Sequence, residues 1–396
     1  MVEAADADDV AALVRHAHQS GLTVTAQAGG HGATGDLAGV ILLRTARLDE
    51  LHIEPHSRTA RVGAGVAWGR VQAEAGRHGL TGLPGSSPVV SVTGYTLGGG
   101  LSWFSRRHGW AADSVTAFDV VDAEGIPARV TASSDADLFW ALRGSGGDFA
   151  LVTGMEFDLH PAPALYGGRM LWPVERAPWV FDAFHEITAD PAGELTVWAN
   201  LLNLPGSSPI VAIDTAFLGE AREGSSLLRS LERIGDLISD SRGPLPVAEL
   251  GSITAEPTDP GPSVSRGELL NGLGDVGVKA LLAEFSAPLL SVQIRHLGGA
   301  LARPSHSPHG AVHEPYALYQ FGVAPTPRVA DGIRRKQRKL SGALGPLVSG
   351  RKPYTYLAAG EKASDAFVPE TLARLRLLKH ERDAHGVFRS NFPVLA

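Results

Sequence analysis

The segment Gly30-His31-Gly32-Ala33-Thr34-Gly35 follows a predicted strand over 22–28 and decides how the N-terminal region folds. Its glycines match G-x-G-x-x-G, the fingerprint of a Rossmann dinucleotide site. In that fold the last glycine opens a full helix, whereas only residues 36–39 separate Gly35 from the next predicted strand at 40–43. The spacing therefore excludes a Rossmann turn. It predicts a loop between two strands whose backbone N–H groups suit a pyrophosphate.

Two further glycine-rich segments follow, over 82–103 and 143–149. Neither ends in Gly-Lys-Ser/Thr, which excludes a P-loop. Each loop by itself is equally consistent with tight turns that need glycine. Three of them within residues 1–150 favour a backbone that approaches one extended ligand.

The apolar periodicity around these loops predicts a mixed α/β region. The predicted elements are a helix over 8–21, strands over 22–28, 40–43 and 59–66, a helix over 67–78, a hairpin over 115–132, a helix over 135–142 and a strand over 151–159.

The pattern changes after Pro161 and Pro163 to longer strands with alternating apolar residues. This predicts an antiparallel sheet covered by helices, and the overall fold class is α+β. The second region is predicted to contain strands over 169–174, 196–203 and 210–217, helices around 178–189 and 220–239, a loop over 240–265 and a later helix over 371–380.

Composition excludes several classes of function. The chain has 396 residues and a net charge of -7, which fits two globular domains and makes nucleic acid an unexpected partner. It contains no cysteine, so disulfides, thiolate catalysis and iron–sulfur clusters are excluded. No apolar run is long enough for a membrane span, and the N-terminus is acidic, so we expect no membrane partner and a cytoplasmic location.

Three histidines in the C-terminal half, His306, His309 and His313, have a spacing that invites a metal-site interpretation. The prolines around them would break any helix that could align the imidazoles. We therefore predict no metal site.

Several motifs in succession resemble the FAD-binding domain of vanillyl-alcohol-oxidase/PCMH-type flavoproteins, and more narrowly the berberine-bridge-enzyme-like bacterial oxidases. The tail resembles the C-terminal motif of that subfamily, so the resemblance covers nearly the whole chain. The motifs are Ala28–Gly32, Thr93–Gly100, Ser105–Gly109, Ala112–Val115, Asp137–Gly144, Gly146–Phe149 and Gly386–Pro393.

The resemblance implies a PCMH-type FAD-binding domain of two α/β subdomains over 1–163, N-terminally short, and a substrate domain over 164–350. A C-terminal segment over 351–396 would return to the FAD domain. In that family the histidine of the Gly-Gly-His loop carries an 8α bond to the flavin, which here would be His31; without the resemblance it would be an ordinary loop histidine. Ser87 occupies the position of a second, cysteinyl bond, so a doubly linked flavin is excluded.

The resemblance also implies which residues lie along FAD. Asp113 is equally suited to capping the turn before Val115. The implied cofactor residues are Gly29, Gly30, His31, Gly32, Ser86, Ser87, Gly94 and Asp113 along the pyrophosphate and ribityl chain, Gly147, Phe149 and Val152 along the adenine and ring edge, and Asn391 at the pyrimidine side.

The family's catalytic base is often the tyrosine of a Tyr-x-Asn motif, and here Tyr354 matches it while Tyr356 replaces the asparagine. Phe367 stands where a second tyrosine is common. At strand spacing the two tyrosines would share one side, either as core residues or in the active site. Arg351 and Lys352 would then lower the pKa of Tyr354.

The expected function is oxidation of a C–H bond next to a hydroxyl or amine of a small molecule, with hydride transfer to FAD and molecular oxygen as acceptor. The alternatives are a flavin dehydrogenase with another acceptor and a non-catalytic scaffold with this fold. The candidate pocket residues alternate along predicted strands and are Trp172, Trp198, Asn200, Gln293, Arg295, Tyr316 and Tyr319.

Overall fold

A computed structural model describes residues 1–33, 35 and 37–396. Within them, the α-helices are α1 (Ala7–Ser20), α2 (Trp68–Gly76), α3 (Val92–Leu97), α4 (Ser105–His108), α5 (Ala136–Leu142), α6 (Ala177–Ala189), α7 (Ala221–Leu227), α8 (Gly274–Glu284), α9 (Pro327–Leu344) and α10 (Pro369–Arg382). None of these helices is long and apolar enough to cross a membrane.

The first subdomain is a small parallel sheet with α1 against it. Its strands are β1 (Val2–Glu3), β2 (Thr23–Gln27) and β3 (Val40–Arg44), in the order β1-β3-β2. Asp6 caps the start of α1, and Gly21 ends it with a left-handed backbone at φ 62. The first glycine-rich loop joins β2 to β3, as predicted. Thr34 and Asp36 of that loop lie outside the described residues.

The second subdomain is a five-stranded antiparallel sheet in the order β4-β5-β9-β7-β8. The predicted hairpin is confirmed by the antiparallel pairing of β7 with β8. Two short strands, β6 and β10, pair beside the sheet. The strands are β4 (Leu51–Glu54), β5 (Thr59–Gly63), β6 (Leu80–Thr81), β7 (Val115–Val121), β8 (Pro127–Val130), β9 (Leu151–Asp158) and β10 (His160–Pro161).

A larger antiparallel sheet follows, which confirms the predicted α+β class. Its order is β14-β11-β13-β12-β17-β18-β16, with β15 pairing β11. Helices α6, α8 and α9 cover one face through an apolar core. The strands are β11 (Tyr166–Pro173), β12 (Leu195–Leu202), β13 (Ile210–Phe217), β14 (Ser239–Asp240), β15 (Gly243–Pro244), β16 (Ser263–Leu270), β17 (Ser291–His296) and β18 (Tyr316–Val323).

Two predictions in this region are wrong. The helix expected over 220–239 ends at Leu227 and is followed by a 3-10 turn over Arg229–Arg233. Asp236 has a left-handed backbone at φ 60, which a continuing helix does not tolerate. The loop expected over 240–265 contains β15 and a 3-10 helix over Val247–Ser252.

The C-terminal segment returns to the first subdomain. Helix α10 buries Leu372, Leu375 and Leu378 in the core of the second subdomain. The chain after it then runs beside β2, where Val24 N donates to Val387 O at 2.7 Å and Arg389 N donates to Val24 O at 3.0 Å. The tail therefore pairs in parallel with the strand from which the first glycine loop departs.

Candidate flavin and substrate site

The first glycine loop, the loop before α3 and the tail come together on one surface. A Cβ built on Gly29 would lie 3.5 Å from Ser91 N and 3.7 Å from Val89 O. Asn391 Nδ2 donates to Gly32 O at 3.0 Å. His31, Gly32 and Asn391 are exposed. Three segments that are far apart in the sequence thus border an accessible surface rich in backbone N–H groups.

The loop before α3 and the first turn of α3 contain buried hydroxyls that lack partners in the described chain. Ser87 and Thr93 Oγ atoms are buried with no hydrogen-bond partner within the described part of the chain. An unpaired buried hydroxyl costs about 1–3 kcal/mol, and a ligand with polar edges laid along the loop would supply the missing partner. Ser86 is half-buried and Gly94 is exposed beside them. These residues fit a flavin dinucleotide.

The third glycine loop is held by the tail through buried charges. Asp148 accepts hydrogen bonds from Ser390 N at 3.0 Å and Val394 N at 2.9 Å. Lys379 Nζ donates to Asp148 O at 2.5 Å and to Asp383 Oδ2 at 2.7 Å. The tail that presents Asn391 to the first loop is therefore anchored on the third.

Not every predicted cofactor residue points to this surface. The side chains of Phe149 and Val152 are buried in the core of the second subdomain, so only their backbones could contact a ligand. Gly147 is half-buried. Asp113 accepts from Ser305 Oγ at 2.8 Å and from Trp110 N at 3.4 Å, as expected for a local cap. Burial raises the pKa of Asp113 despite these hydrogen bonds.

The large sheet turns its other face toward the flavin-binding region. Cross-strand pairing sets Trp198 opposite Arg295, and Gln293 opposite both Asn200 and Tyr319. Residues directly opposite each other share a face, so these five predicted pocket residues lie together. We call this group the sheet-face cluster.

Two predicted pocket residues lie on the opposite face. Trp172 is fully buried in the core beneath the helices. The Tyr316 hydroxyl lies 2.8 Å from Thr188 Oγ1 of α6. Successive side chains of a strand point to opposite faces. Trp172 and Tyr316 are an odd number of positions away from the pocket-facing residues, so their side chains point toward the helices. These two candidates therefore do not face the pocket.

The sheet-face cluster meets the flavin-binding region directly. Trp103 stacks on Trp198 with ring centroids 3.6 Å apart and an interplanar angle of 12°. Burial raises the pKa of Tyr95 in α3, and the positive charge of Arg295 partly opposes that increase. The Tyr95 hydroxyl is buried without a hydrogen-bond partner in the described chain. One helix turn thus links the flavin-binding loop to the sheet.

The two candidate catalytic tyrosines have different surroundings. Residues 354–356 form a 3-10 turn, so the prediction that both tyrosines face one side at strand spacing is wrong. Tyr354 packs against Phe367 and Phe392, with ring centroids 5.9 and 5.7 Å away, and its hydroxyl donates to Phe392 O at 3.4 Å. Tyr356 lies 5.6 Å from the Tyr319 ring and within 5.9 Å of the Arg295 guanidinium carbon.

Burial also changes the chemistry expected of these tyrosines. Burial raises the pKa of Tyr354 well above its ordinary value. The predicted activation by Arg351 and Lys352 is wrong: Arg351 lies 3.7 Å from Glu314, and Lys352 binds Glu361 at 2.6 Å. Burial raises the pKa of Tyr356 too, but Arg295 opposes that shift. Only Tyr356 adjoins the sheet-face cluster.

Comparison with known proteins agrees with this geometry. Residues 1–131 match the family model of an FAD binding domain. The chain is 26% identical over 431 residues to (R)-6-hydroxynicotine oxidase of Paenarthrobacter nicotinovorans, covering 98% of this chain and 89% of that protein.

Residues 1–131 are an FAD binding domain.

Solved structures show the same fold along the whole chain. The 6-hydroxy-D-nicotine oxidase from Arthrobacter nicotinovorans superposes with a TM-score of 0.85 at 23% identity, covering 99% of this chain and 91% of that one. Berberine bridge enzyme from Eschscholzia californica gives 0.84 at 17% identity, covering 99% and 89%. Against two fungal FAD-dependent monooxygenases, 35% identical in the matched region, the chain spans only 34% and 33% of their length.

One of the three histidines considered for a metal site, His309, has a structural role. No group of three metal-ligating side chains lies together among residues 1–33, 35 and 37–396. His309 is buried against Gly98, whose carbonyl oxygen lies 3.1 Å from Nε2. Burial lowers its pKa to about 4, so the imidazole is neutral and donates to that carbonyl at neutral pH.

Sequence reasoning missed several buried charges of the oxidoreductase. Arg106 is buried between domains, where Nε donates to Leu195 O at 2.8 Å and Nη1 to Leu297 O. Burial lowers its pKa to about 10. Asp148, Lys379 and Asp383 were missed as a group because their partners are far apart in sequence. The one available signal was the i,i+4 spacing of Lys379 and Asp383 on a helix.

Proposed function

We propose that this protein is an FAD-dependent oxidase that removes a hydride from a carbon bearing a hydroxyl or amine of a small molecule. The observation that carries the proposal is the convergence of the first glycine loop, the loop before α3 and the tail on one accessible surface, where Asn391 Nδ2 donates to Gly32 O. A relative named as an oxidase, similar over 98% of the chain, supports it. The division at 1–163, 164–350 and 351–396 and a cytoplasmic location remain parts of this proposal.

The residues proposed to hold FAD are those on the accessible surface. Gly29–Gly32, Ser86, Ser87 and Gly94 would lie along its pyrophosphate and ribityl chain, Asn391 at the pyrimidine side, and His31 would carry an 8α bond. When bound, FAD supplies the hydride acceptor, and molecular oxygen reoxidises it. The buried, partnerless hydroxyls of Ser87 and Thr93 support this placement.

The substrate would lie against the sheet-face cluster. Burial raises the pKa of Tyr356, so its hydroxyl is protonated at neutral pH and would hydrogen-bond to the heteroatom beside the reacting carbon. The proton that this heteroatom loses as the hydride leaves would pass to solvent. The stacked Trp103 and Trp198 rings exclude water from one side of the cluster. Tyr354, held between Phe367 and Phe392, supports the turn that presents Tyr356.

A direct experiment is to purify the wild type, His31→Ala and the matched control His52→Ala, since His52 is exposed on β4 far from the loop in sequence. Flavin fluorescence that stays with the polypeptide after acid precipitation, in the wild type and His52→Ala but not in His31→Ala, would support the covalent link. A colourless wild type that FAD cannot reconstitute contradicts the proposed function and favours the scaffold alternative.

The acceptor is tested separately with a panel of sugars, alcohols and amines. Peroxide release together with flavin reduction identifies an oxidase. Flavin reduction under anaerobic conditions, followed by slow reoxidation in air and fast reoxidation by an artificial quinone, identifies the dehydrogenase alternative.

A further inference from the structure

Arg295 differs from the other arginines of the large sheet in having no carboxylate partner within the described chain. Arg169 pairs with Asp214, and Arg266 pairs with Glu268. The recorded hydrogen bond of Arg295 runs from Nε to Gln293 Oε1 at 2.6 Å. That bond fixes the plane of the guanidinium, whose Nη edge has no carboxylate partner in the described chain and lies near the Tyr356 hydroxyl.

Aromatic rings surround this guanidinium. Its central carbon lies 4.2 Å from the centroid of Trp198, 5.3 Å from Tyr319 and 5.9 Å from Tyr356. Cation–π contacts stabilise a partly buried guanidinium that has no carboxylate partner. The Arg295 guanidinium is therefore a fixed positive charge with a ring face beside it.

Polar groups without partners lie around the same position. Asn200 is directly opposite Gln293, and its Oδ1 is buried and unpaired in the described chain. The amide of Asn200 contributes a hydrogen bond to Asp214, which fixes the side-chain orientation and leaves Oδ1 as an acceptor. The Tyr95 hydroxyl is also buried and has no hydrogen-bond partner among the described residues. A site with one cation and one buried acceptor is complementary to a ligand that carries an anion and an N–H or O–H donor.

We propose that Arg295 binds an anionic group of the substrate, so that the substrate class is an aromatic or otherwise planar carboxylate bearing an amine or hydroxyl. This inference rests on the proposed function, because it names the substrate of the same site. The carboxylate takes the Nη edge of Arg295 in two parallel hydrogen bonds. The planar part lies along Tyr319 and Tyr356, and the donor reaches Asn200 Oδ1.

The test compares benzoate with its neutral counterpart benzamide by calorimetric titration into the holoprotein. Hydrogen bonds to a charged group predict that benzoate binds about 10- to 100-fold more tightly than benzamide. Arg295→Met should abolish that ratio, and Arg295→Lys should reduce it, because an ammonium cannot form the planar pair. The control Arg233→Met removes an exposed charge that pairs with Glu186 and should keep the ratio.

The controls separate folding and flavin effects from recognition. Thermal unfolding shows whether each variant is folded, and Arg295→Lys provides the test if Arg295→Met is not. Benzoate binding to flavin-free protein can be measured by the tryptophan fluorescence of the stacked Trp103 and Trp198. The inference can therefore be tested even if the proposed function is wrong. Three results would overturn the proposed role of Arg295. They are equal affinities of the wild type for benzoate and benzamide, an affinity ratio retained in Arg295→Met, and an Arg295→Met protein that loses FAD but keeps its preference for benzoate.

Discussion

Replacing Lys379 with methionine removes the charge that anchors the C-terminal tail. Lys379 is 4% exposed, and its ammonium donates to Asp148 O at 2.5 Å, Asp383 Oδ2 at 2.7 Å and Phe388 O at 2.8 Å. Removing one partner of a buried ion pair costs about 3–5 kcal/mol, because the remaining carboxylate is left uncompensated. At about 2.1 cal/mol/K of unfolding entropy per residue, this lowers the melting temperature by roughly 4–6 °C.

The assay combines thermal unfolding with limited proteolysis of the tail. Val387 N and Phe388 N both donate to Asp383, so loss of Lys379 should expose the chain around residues 384–396 to cleavage. The matched control is Lys339→Met, whose side chain is 68% exposed and pairs with Glu284 on the surface. We expect Lys339→Met to change stability by at most about 1 kcal/mol.

If Lys379→Met has the same melting temperature and the same rate of tail cleavage as Lys339→Met, Lys379 does not anchor the tail. A second possible result is that the tail of Lys379→Met is cleaved but the protein retains flavin as firmly as the wild type. That second result would mean that Asn391, which the tail holds on Gly32, contributes nothing to the cofactor site.

Three further predictions follow from buried groups. Tyr356→Phe should slow anaerobic flavin reduction by about 10- to 100-fold, because the substrate heteroatom loses a hydrogen-bond partner. Tyr354→Phe should leave the rate nearly unchanged; stopped-flow absorbance measures both rates, and the reverse order would contradict the role given to Tyr356. Burial lowers the pKa of His309 to about 4, so its contribution to stability is complete above about pH 6.5 and is lost as the pH falls toward 4. In urea unfolding, the free energy of unfolding of the wild type should fall by up to roughly 3 kcal/mol over that pH range. It should fall less in His309→Gln, whose amide can still donate to Gly98 O, and equal decreases in the two proteins would contradict this prediction. Gly146→Ala should destabilise by more than about 1 kcal/mol, because Gly146 has φ +85 and a Cβ would strike the Tyr354 ring, and a calorimetric melt identical to wild type would refute it.

The parts of the fold that were predictable have short-range causes. Helix α1 is specified by Asp6 at its start and Gly21 at its end, and the hairpin of β7 and β8 by the turn between them. The first glycine loop was distinguishable from a Rossmann turn because the distance to β3 is a local property of the chain. Local signals also placed the start of the larger sheet after Pro163.

The parts that were not predictable depend on pairing between distant residues. Which side of the sheet a residue faces follows from register, so Trp172 and Tyr316 were assigned to the pocket although they face the helices. The Tyr354–Tyr356 turn was taken for a strand because spacing alone does not distinguish the two. The contact of Lys379 with Asp148 spans 231 positions, and nothing near either residue indicates the other.

The absorbance spectrum of the purified wild-type protein, before and after acid precipitation, tests the central claim most directly. The account predicts flavin bands near neutral pH and fluorescence that remains with the polypeptide after precipitation. A protein that lacks those bands and does not take up added FAD would contradict it, because the surface formed by the first glycine loop, the loop before α3 and the tail would then have no flavin to bind.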